Sequence, residues 1–323
     1  MLQQVYPHIY KNEIQLPGNP LKAVHSYLIT SPERNLLIDT GFNRPDCLET
    51  LLQGMAEAGA ELEKTDLFIT HLHSDHSGLA AALSQQGVKV HASQWDGDAV
   101  NEMSQVSYWQ RFESFRVLFD LEQDQVTFQD HPGYKYRSPQ PVSFQTLREG
   151  DTLTLGDYAF EVIEIPGHTP GQLGLYERTH RLFFCGDHIL DRITPNIAFW
   201  DFKWDILDVY LKNLKKVAAF DIDHLFSAHR GIVTDHRQRI QELAHHHQLR
   251  LTEIMGILKE GHTTVREVAA RMHWELRYDN WEAFPHAQKW FAAGEAMSHL
   301  EHLAATGIVT KEERQGVLHY QIS

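Results

Sequence analysis

Cysteine is scarce: the 323 residues contain two, Cys47 and Cys185. They form no spacing motif, so a disulfide framework or a cysteine-rich metal knuckle is excluded. Cys185 lies in the apolar run Leu182-Phe183-Phe184-Cys185, which reads as a core strand. A reduced, cytoplasmic compartment is the expectation. No run of 18 or more apolar residues occurs, and no membrane span is expected. Met1 to Pro7 lacks the basic start and apolar stretch of a signal peptide. Positive charge is short, with 29 Lys+Arg against 43 Asp+Glu and a net charge of −14. That balance opposes non-specific attraction to nucleic acid or anionic membranes. The chain has no internal repeat, no low-complexity segment and no G-x-S-x-G turn, so it offers no serine nucleophile of that type.

Histidine, in contrast, is abundant at 22 residues. Four of the chemistry-bearing groups crowd into Thr70-His71-Leu72-His73-Ser74-Asp75-His76-Ser77-Gly78. The apolar run Leu67-Phe68-Ile69 before it reads as a buried strand, and Leu79 to Leu83 after it reads as a helix start. Imidazole nitrogen and carboxylate oxygen are zinc ligands, and alternation in an extended loop turns His71 and His73 to one side. Further on, His168 sits in Pro166-Gly167-His168-Thr169-Pro170-Gly171, Asp187 in Gly186-Asp187-His188, and His229 in Ser227-Ala228-His229-Arg230-Gly231. Each follows a short apolar strand, and in a layered α/β fold such strand ends meet at one edge. His71, His73 and His168 then make one metal site, Asp75, His76 and His229 a second, and Asp187 bridges them. Water bridging two divalent ions becomes a nucleophilic hydroxide near neutral pH, with Asp75 orienting it. Asp39, in the short buried strand Asn35 to Gly41 that ends in a tight turn, is either a plain turn carboxylate or a hydrogen-bonding group behind the metal loop. His188 is expected to face away from the site. His245-His246-His247 is expected on a partly solvated helix face.

The order of elements is β-β-β-α-β-α-β up to about residue 92, then an insertion, then more strands, which argues a layered α/β fold. Val5 to Tyr10 reads as one strand. The insertion, about 93–145, carries a helix-like aromatic stretch from Trp95 to Leu121 and is either a helix packed on the core or a wall of the substrate pocket. Tyr108 and Trp109 within it, with Asn196 and Trp200 of the irregular 189–204 loop, are the candidate pocket residues. From about His236 helical periodicity takes over. A long helix closed by Gly261, a capping box at Thr264-Val265-Arg266-Glu267, a helix from about Pro285 to Ala305 and a terminal hairpin outline a winged helix. The expected division is 1–235 for a catalytic domain and 236–323 for a small α+β domain.

The Thr70–Gly78 loop, the His168 loop, Gly186-Asp187 and the late His229, in that order, resemble the metallo-β-lactamase-fold hydrolases. The resemblance spans residues 20 to 235. It implies an αββα sandwich with a binuclear, usually zinc, site at its edge (iron and manganese being alternatives), and places Asp39 and Asp66 behind the ligands. A bridging aspartate at position 187 is similar to the glyoxalase II, lactonase and nuclease branches rather than to lactam-hydrolysing members, which tend to have cysteine there. The Ser-Ala-His-Arg-Gly loop departs from the family's more frequent Pro-Gly-His-Gly, leaving His224 and His236 as neighbours of the last ligand. The C-terminal part resembles the domain appended to the lactamase-β-like protein 2 type, which implies single-stranded RNA cleavage. Residues 230–323, however, hold 11 Lys+Arg and 12 Asp+Glu, a poor footprint for phosphate contacts. That part is expected instead to close over the active site or to form a homodimer. The leading expectation is a binuclear hydrolase of a small ester, thioester or lactone. The alternatives are a phosphodiesterase acting on RNA and a metal-stabilised binding protein.

Overall fold

A computed structural model describes residues 2–323. Seven strands form one sheet, in the order Leu2–Tyr6, Ile9–Gln15, Ala23–Ile29, Asn35–Ile38, Thr65–Phe68, Lys89–Ser93 and Phe144–Leu147. The last four run parallel and the others pair antiparallel. Five strands form the second sheet, in the order His224–Ser227, Leu182–Gly186, Leu173–Glu177, Tyr158–Glu164 and Thr152–Leu155. Only His224–Ser227 and Leu182–Gly186 run parallel there.

Side-chain alternation explains the layering. Tyr27, Ile29, Leu36, Ile38 and Phe68 point between the sheets, where they meet Phe160, Phe184 and Phe226. Val24, Leu28, Leu37 and Leu67 point outward and bury Leu51 and Leu83 of the helices Pro45–Glu57 and Ala80–Ser84. Phe183 and Cys185 point outward from the second sheet onto Tyr210 and Leu214 of the helix Ile206–Ala218. With both faces covered, Ala23–Ile29 and Leu182–Gly186 are buried along their whole length. The result is the expected helix–sheet–sheet–helix sandwich. Cys47 and Cys185 are buried in separate layers and both are free.

Several local expectations change. The single strand read over Val5 to Tyr10 is a hairpin, because His8 turns the chain with a φ of 59°. The Trp95–Leu121 helix is two helices, Gln94–Met103 and Val106–Leu118, broken at Ser104-Gln105. His247 is fully buried against His299 (Nδ1 to Nε2, 3.0 Å), so only His245 of that triplet is exposed.

The C-terminal segment contains the helices His236–Lys259, Val265–Ala269 and His286–Ala305, then the hairpin Val309–Arg314/Val317–Ile322. One apolar cluster runs from Phe183 and Tyr210 through Ile254 to Ala296 and Leu300, so this segment shares its core with the second sheet's outer layer. It is also tied to the insertion. Asp124, buried there, receives Arg266 Nε at 2.6 Å, Lys289 Nζ at 2.8 Å and Trp281 Nε1 at 2.8 Å.

Candidate metal centre and its cavity

The seven candidate ligands come from loops that all leave strands at one edge of the sandwich. Glycines let those loops approach one another. At Gly186 (φ +52°) a Cβ would stand 2.6 Å from Thr70 Oγ1, and at Gly167 (φ +149°) it would stand 2.6 Å from Tyr210 Cβ. A larger residue at 186 would push Asp187 away from the Thr70 loop, and one at 167 would push the His168 loop off the helix Ile206–Ala218.

His73 Nδ1 lies 3.1 Å from His71 Nε2 and 2.9 Å from His168 Nε2. Asp75 Oδ2 lies 3.5 Å from His229 Nε2 and 3.8 Å from His76 Nε2. Asp187 reaches both groups, 3.7 Å from His168 Nε2, 3.7 Å from His76 Nε2 and 3.4 Å from His229 Nε2. Three sets of potential ligand atoms each gather within 4.8 Å: His71/His73/His168, His71/His76/Asp187 and Asp75/His76/His229.

In four of the five rings the outer nitrogen is spoken for. His168 Nδ1 donates to Asn196 O (2.8 Å), His76 Nδ1 to Asp39 Oδ2 (2.8 Å) and His229 Nδ1 to Ala23 O (2.7 Å). Thr70 Oγ1 donates to Asp39 Oδ2 (2.8 Å) and so can accept from His71 Nδ1 at 3.0 Å. These bonds set the tautomers and leave the inner Nε2 atoms as bearers of lone pairs. His76 Nε2, His229 Nε2 and Asp187 Oδ1 are buried and find no hydrogen-bond partner among the described residues. Buried polar atoms left this way are costly unless a cation or proton sits between them. The donor set and its inward aim therefore fit a divalent ion.

The two halves of the cluster differ electrostatically. Burial and neighbouring imidazoles hold His71 and His73 well below the ordinary histidine range, and burial lowers His168 as well. Burial also opposes charge on His229, but Asp187 and Asp75 raise it to about 10. His76 is likewise raised, against burial, by Asp39, Asp75 and Asp187. Burial opposes the charged form of Asp75, yet His76 and His229 lower it to about 2.

His73, Asp75, His168 and Asp187 open into a cavity of about 510 Å³. It is walled by three distant segments: the insertion, the 189–204 loop and the C-terminal segment. Residues 19–229 match the family model of the metallo-beta-lactamase superfamily. The chain belongs to this superfamily. All seven candidate ligands fall inside the matched region, whereas the C-terminal wall of the cavity falls outside it.

Within the superfamily the chain is 30% identical over 171 residues to the acyl-coenzyme A thioesterase MBLAC2 of Gallus gallus, covering 51% of this chain and 57% of that protein. It is 30% identical over 162 residues to the hydroxyacylglutathione hydrolase GloC of Haemophilus influenzae, covering 50% and 64%. The chain thus spans less than two thirds of the length of these curated relatives. A crystal structure of a metallo-beta-lactamase family protein from Thermus thermophilus superposes with a TM-score of 0.79 at 24% identity, covering 99% of this chain and 100% of that one. That likeness establishes the fold over the whole chain, the C-terminal segment included.

The other expected residues divide. Asp39 stands behind the ligands, receiving the Thr70 N–H (2.8 Å), the Thr70 hydroxyl and His76. Asp66, expected beside it, does not. It pairs with Arg34 and lies 3.7 Å from His91, near the start of the strand Thr65–Phe68. The metal loop leaves the opposite end of that strand, which puts Asp66 out of reach. His188 is buried against Tyr210, with ring centroids 5.2 Å apart, and is not among the gathered ligand atoms. His224 packs against Tyr6 and His236 is buried at a helix start, leaving His229 in the cluster.

All four expected pocket residues line the cavity. Trp109 is almost fully buried, with its Nε1 donating to Met103 O at 2.8 Å, so it supports the wall from behind. Trp200 stacks on His73 (6.0 Å, 27°) and donates to His168 O at 3.2 Å. Asn196 holds His168 by its backbone oxygen. Its side chain is anchored in turn to Glu295 Oε2 (2.8 Å) and Phe291 O (3.2 Å) of the C-terminal helix.

Sequence reasoning missed Asp96. Its buried carboxylate accepts from Leu72 N–H (2.9 Å), Thr169 Oγ1 (2.7 Å) and Gly171 N–H (3.0 Å), tying the His71–His76 loop to the His168 loop. Burial pushes it up to about 7 against those bonds. In the sequence it is one more aspartate in the first turn of a helix, and no local signal marks it.

Proposed function

We propose that this chain is a divalent-metal-dependent hydrolase of an ester, thioester or lactone. The observation that carries the reading is the inward convergence of buried imidazole and carboxylate atoms, with four of the five outer ring nitrogens already bonded to oxygen, beside a cavity of about 510 Å³. His71, His73 and His168 would hold one ion. Asp75, His76 and His229 would hold a second, and Asp187 lies between the two sets. Imidazole and carboxylate suit zinc, with iron or manganese as alternatives. When bound, such ions make water acidic near neutral pH and polarise the acyl oxygen.

The protein side chains do the rest. Asp75, which lines the cavity, accepts a hydrogen bond from the attacking water and aims its lone pair at the acyl carbon. The water oxygen bonds to that carbon, the C–S or C–O bond breaks, and the displaced proton leaves on the thiol or alcohol. Trp200, packed over His73, restricts bulk water.

The thioesterase and hydroxyacylglutathione hydrolase named among the relatives support an acyl substrate. RNA is disfavoured by the net charge of −14. It is disfavoured again by the C-terminal helix His286–Ala305, buried without interruption from Ala292 to Leu300 and so unable to lie in a nucleic-acid groove.

The test is metal analysis joined to a panel of thioesters, lactones and RNA, run on the zinc-loaded protein and on His73→Ala. Hydrolysis of an acyl substrate, lost in the variant, is expected. No turnover of any acyl compound at full metal occupancy would overturn the reading.

A further inference from the structure

One helix face in the insertion has a regular aromatic pattern. Tyr108, Phe112, Phe115 and Phe119 stand at i, i+4, i+7 and i+11 on and just beyond the helix Val106–Leu118, and all four line the cavity that opens at the metal centre. Eleven residues of α-helix cover about 16 Å at 1.5 Å per residue, so the stripe runs along the cavity rather than marking one spot in it.

The opposite wall is aromatic too. Phe112 meets Trp290 of the C-terminal helix at 4.9 Å between ring centroids, and Phe115 meets Phe199 at 5.7 Å. At the metal end, Trp200 lies flat over His73. Aromatic rings thus line the cavity both beside the candidate metal centre and away from it. They belong to three segments that have no contact in sequence.

Part of this stripe serves packing: Phe119 is buried in the core shared with the C-terminal segment, and Phe112 and Phe115 pack against that core. Tyr108, Phe112 and Phe115 nevertheless stay only partly buried, and all three line the cavity. A volume of about 510 Å³ also exceeds what a two- or three-carbon acyl group occupies.

We propose that this aromatic sleeve receives the acyl half of the substrate, and that the acyl group is a long apolar chain rather than a short hydroxylated one. Phe112 and Phe115 are its specificity-determining residues. The inference rests on the hydrolase reading and adds the substrate class to it. It also separates the two named relatives: the preferred acyl group is unlike the hydroxyacyl group in the name of the Haemophilus protein. Hydrolysis itself is unchanged. Water adds to the acyl carbon at the metal end, the C–S or C–O bond breaks, and the chain leaves the sleeve as a carboxylic acid.

The experiment has a kinetic and a binding arm, both on the zinc-loaded protein. In the first, kcat/KM is measured for acetyl, lactoyl, butanoyl, octanoyl and dodecanoyl thioesters of one small thiol. The expected rise is about two- to fourfold per added methylene until the sleeve is full. Phe112→Ala should lower the dodecanoyl-to-butanoyl ratio at least tenfold, and Phe112→Trp should move the optimum to shorter chains. In the second arm, binding of acetate, butanoate and dodecanoate is followed by quenching of tryptophan fluorescence, which Trp200 and Trp290 in the wall can report. Dodecanoate is expected to bind far more tightly, and Phe112→Ala to weaken it.

Equal turnover across the series, or a preference for lactoyl, with no tighter binding of dodecanoate, would overturn the sleeve and leave the hydrolase reading intact. Tight, Phe112-dependent dodecanoate binding without hydrolysis of any thioester, ester or lactone would sustain the sleeve and sink the hydrolase. Phe112→Trp keeps an aromatic ring at the site, so its shifted optimum is readable even if Phe112→Ala folds poorly.

Discussion

The metal centre and the cavity wall are adjacent, but they are held by different physics. In the centre, four of the seven candidate ligands have a dedicated hydrogen bond to a nearby strand end or loop: Thr70 for His71, Asp39 for His76, Ala23 O for His229 and Asn196 O for His168. Ligand atoms must be placed to within fractions of an ångström, and directional bonds do that. The wall is held by aromatic packing and by one buried ionic cluster around Asp124. It has only to present surface, and apolar contacts are non-directional. Chemistry at this edge is therefore specified atom by atom, while substrate choice depends on how three segments pack.

Substitutions can break or sharpen that contrast. The largest effect is expected in the centre. Asp75→Asn should lower kcat by about 10²–10⁴-fold with the fold intact, measured by steady-state kinetics at saturating zinc. A loss under tenfold would remove Asp75 from the mechanism.

In the wall, Asp124→Ala strips the partner from Arg266 and Lys289. It should cost about 3–5 kcal/mol of stability, read by urea unfolding, with zinc affinity changed far less. Burial works against the Asp124 charge, but the bonds from Arg266, Lys289 and Trp281 hold its carboxyl below the usual range. Its folded value lies below its unfolded one. The contribution is therefore fully present above the unfolded value, about 3.9, and is lost as pH falls through the folded one.

The junction of the two regions comes next. Asn196→Ala keeps the backbone oxygen that holds His168 but unties it from Glu295 and Phe291, and should weaken zinc binding up to about 10-fold in a chelator competition. Unchanged affinity would mean that the wall does not position the centre. The smallest effect is expected at Asp66→Asn. Its partly exposed pair with Arg34 should be worth no more than about 1 kcal/mol, with zinc affinity and kcat unaffected.

Much of the centre was legible in one dimension. His71, His73, Asp75, His76, His168, Asp187 and His229 each follow an apolar strand, at a turn marked by glycine, proline or paired polar residues. Strand alternation likewise separated Tyr27 and Ile29 from Val24 and Leu28, and with them the inner from the outer layer. These features are local, because backbone geometry repeats every two residues in a strand and loops begin where that repeat fails.

What was not legible depends on partners far apart in the chain. Asp66 looked like a group behind the ligands until Arg34 claimed it. Asp96 looked ordinary until it joined two loops. His247 looked solvated until the C-terminal helix covered it. The strand Phe144–Leu147 is short and mostly polar, and it is a strand because Lys89–Ser93 pairs with it.

The amino-acid sequence by itself determined the candidate ligand set, the layered architecture and the exclusion of a disulfide scaffold. Each of these follows from residue chemistry and short-range periodicity. Tertiary packing alone decided which carboxylates serve the centre, how the C-terminal segment reaches His168, and that aromatic residues from three segments enclose one cavity. Non-directional contacts between distant residues leave no spacing in the chain from which they can be read.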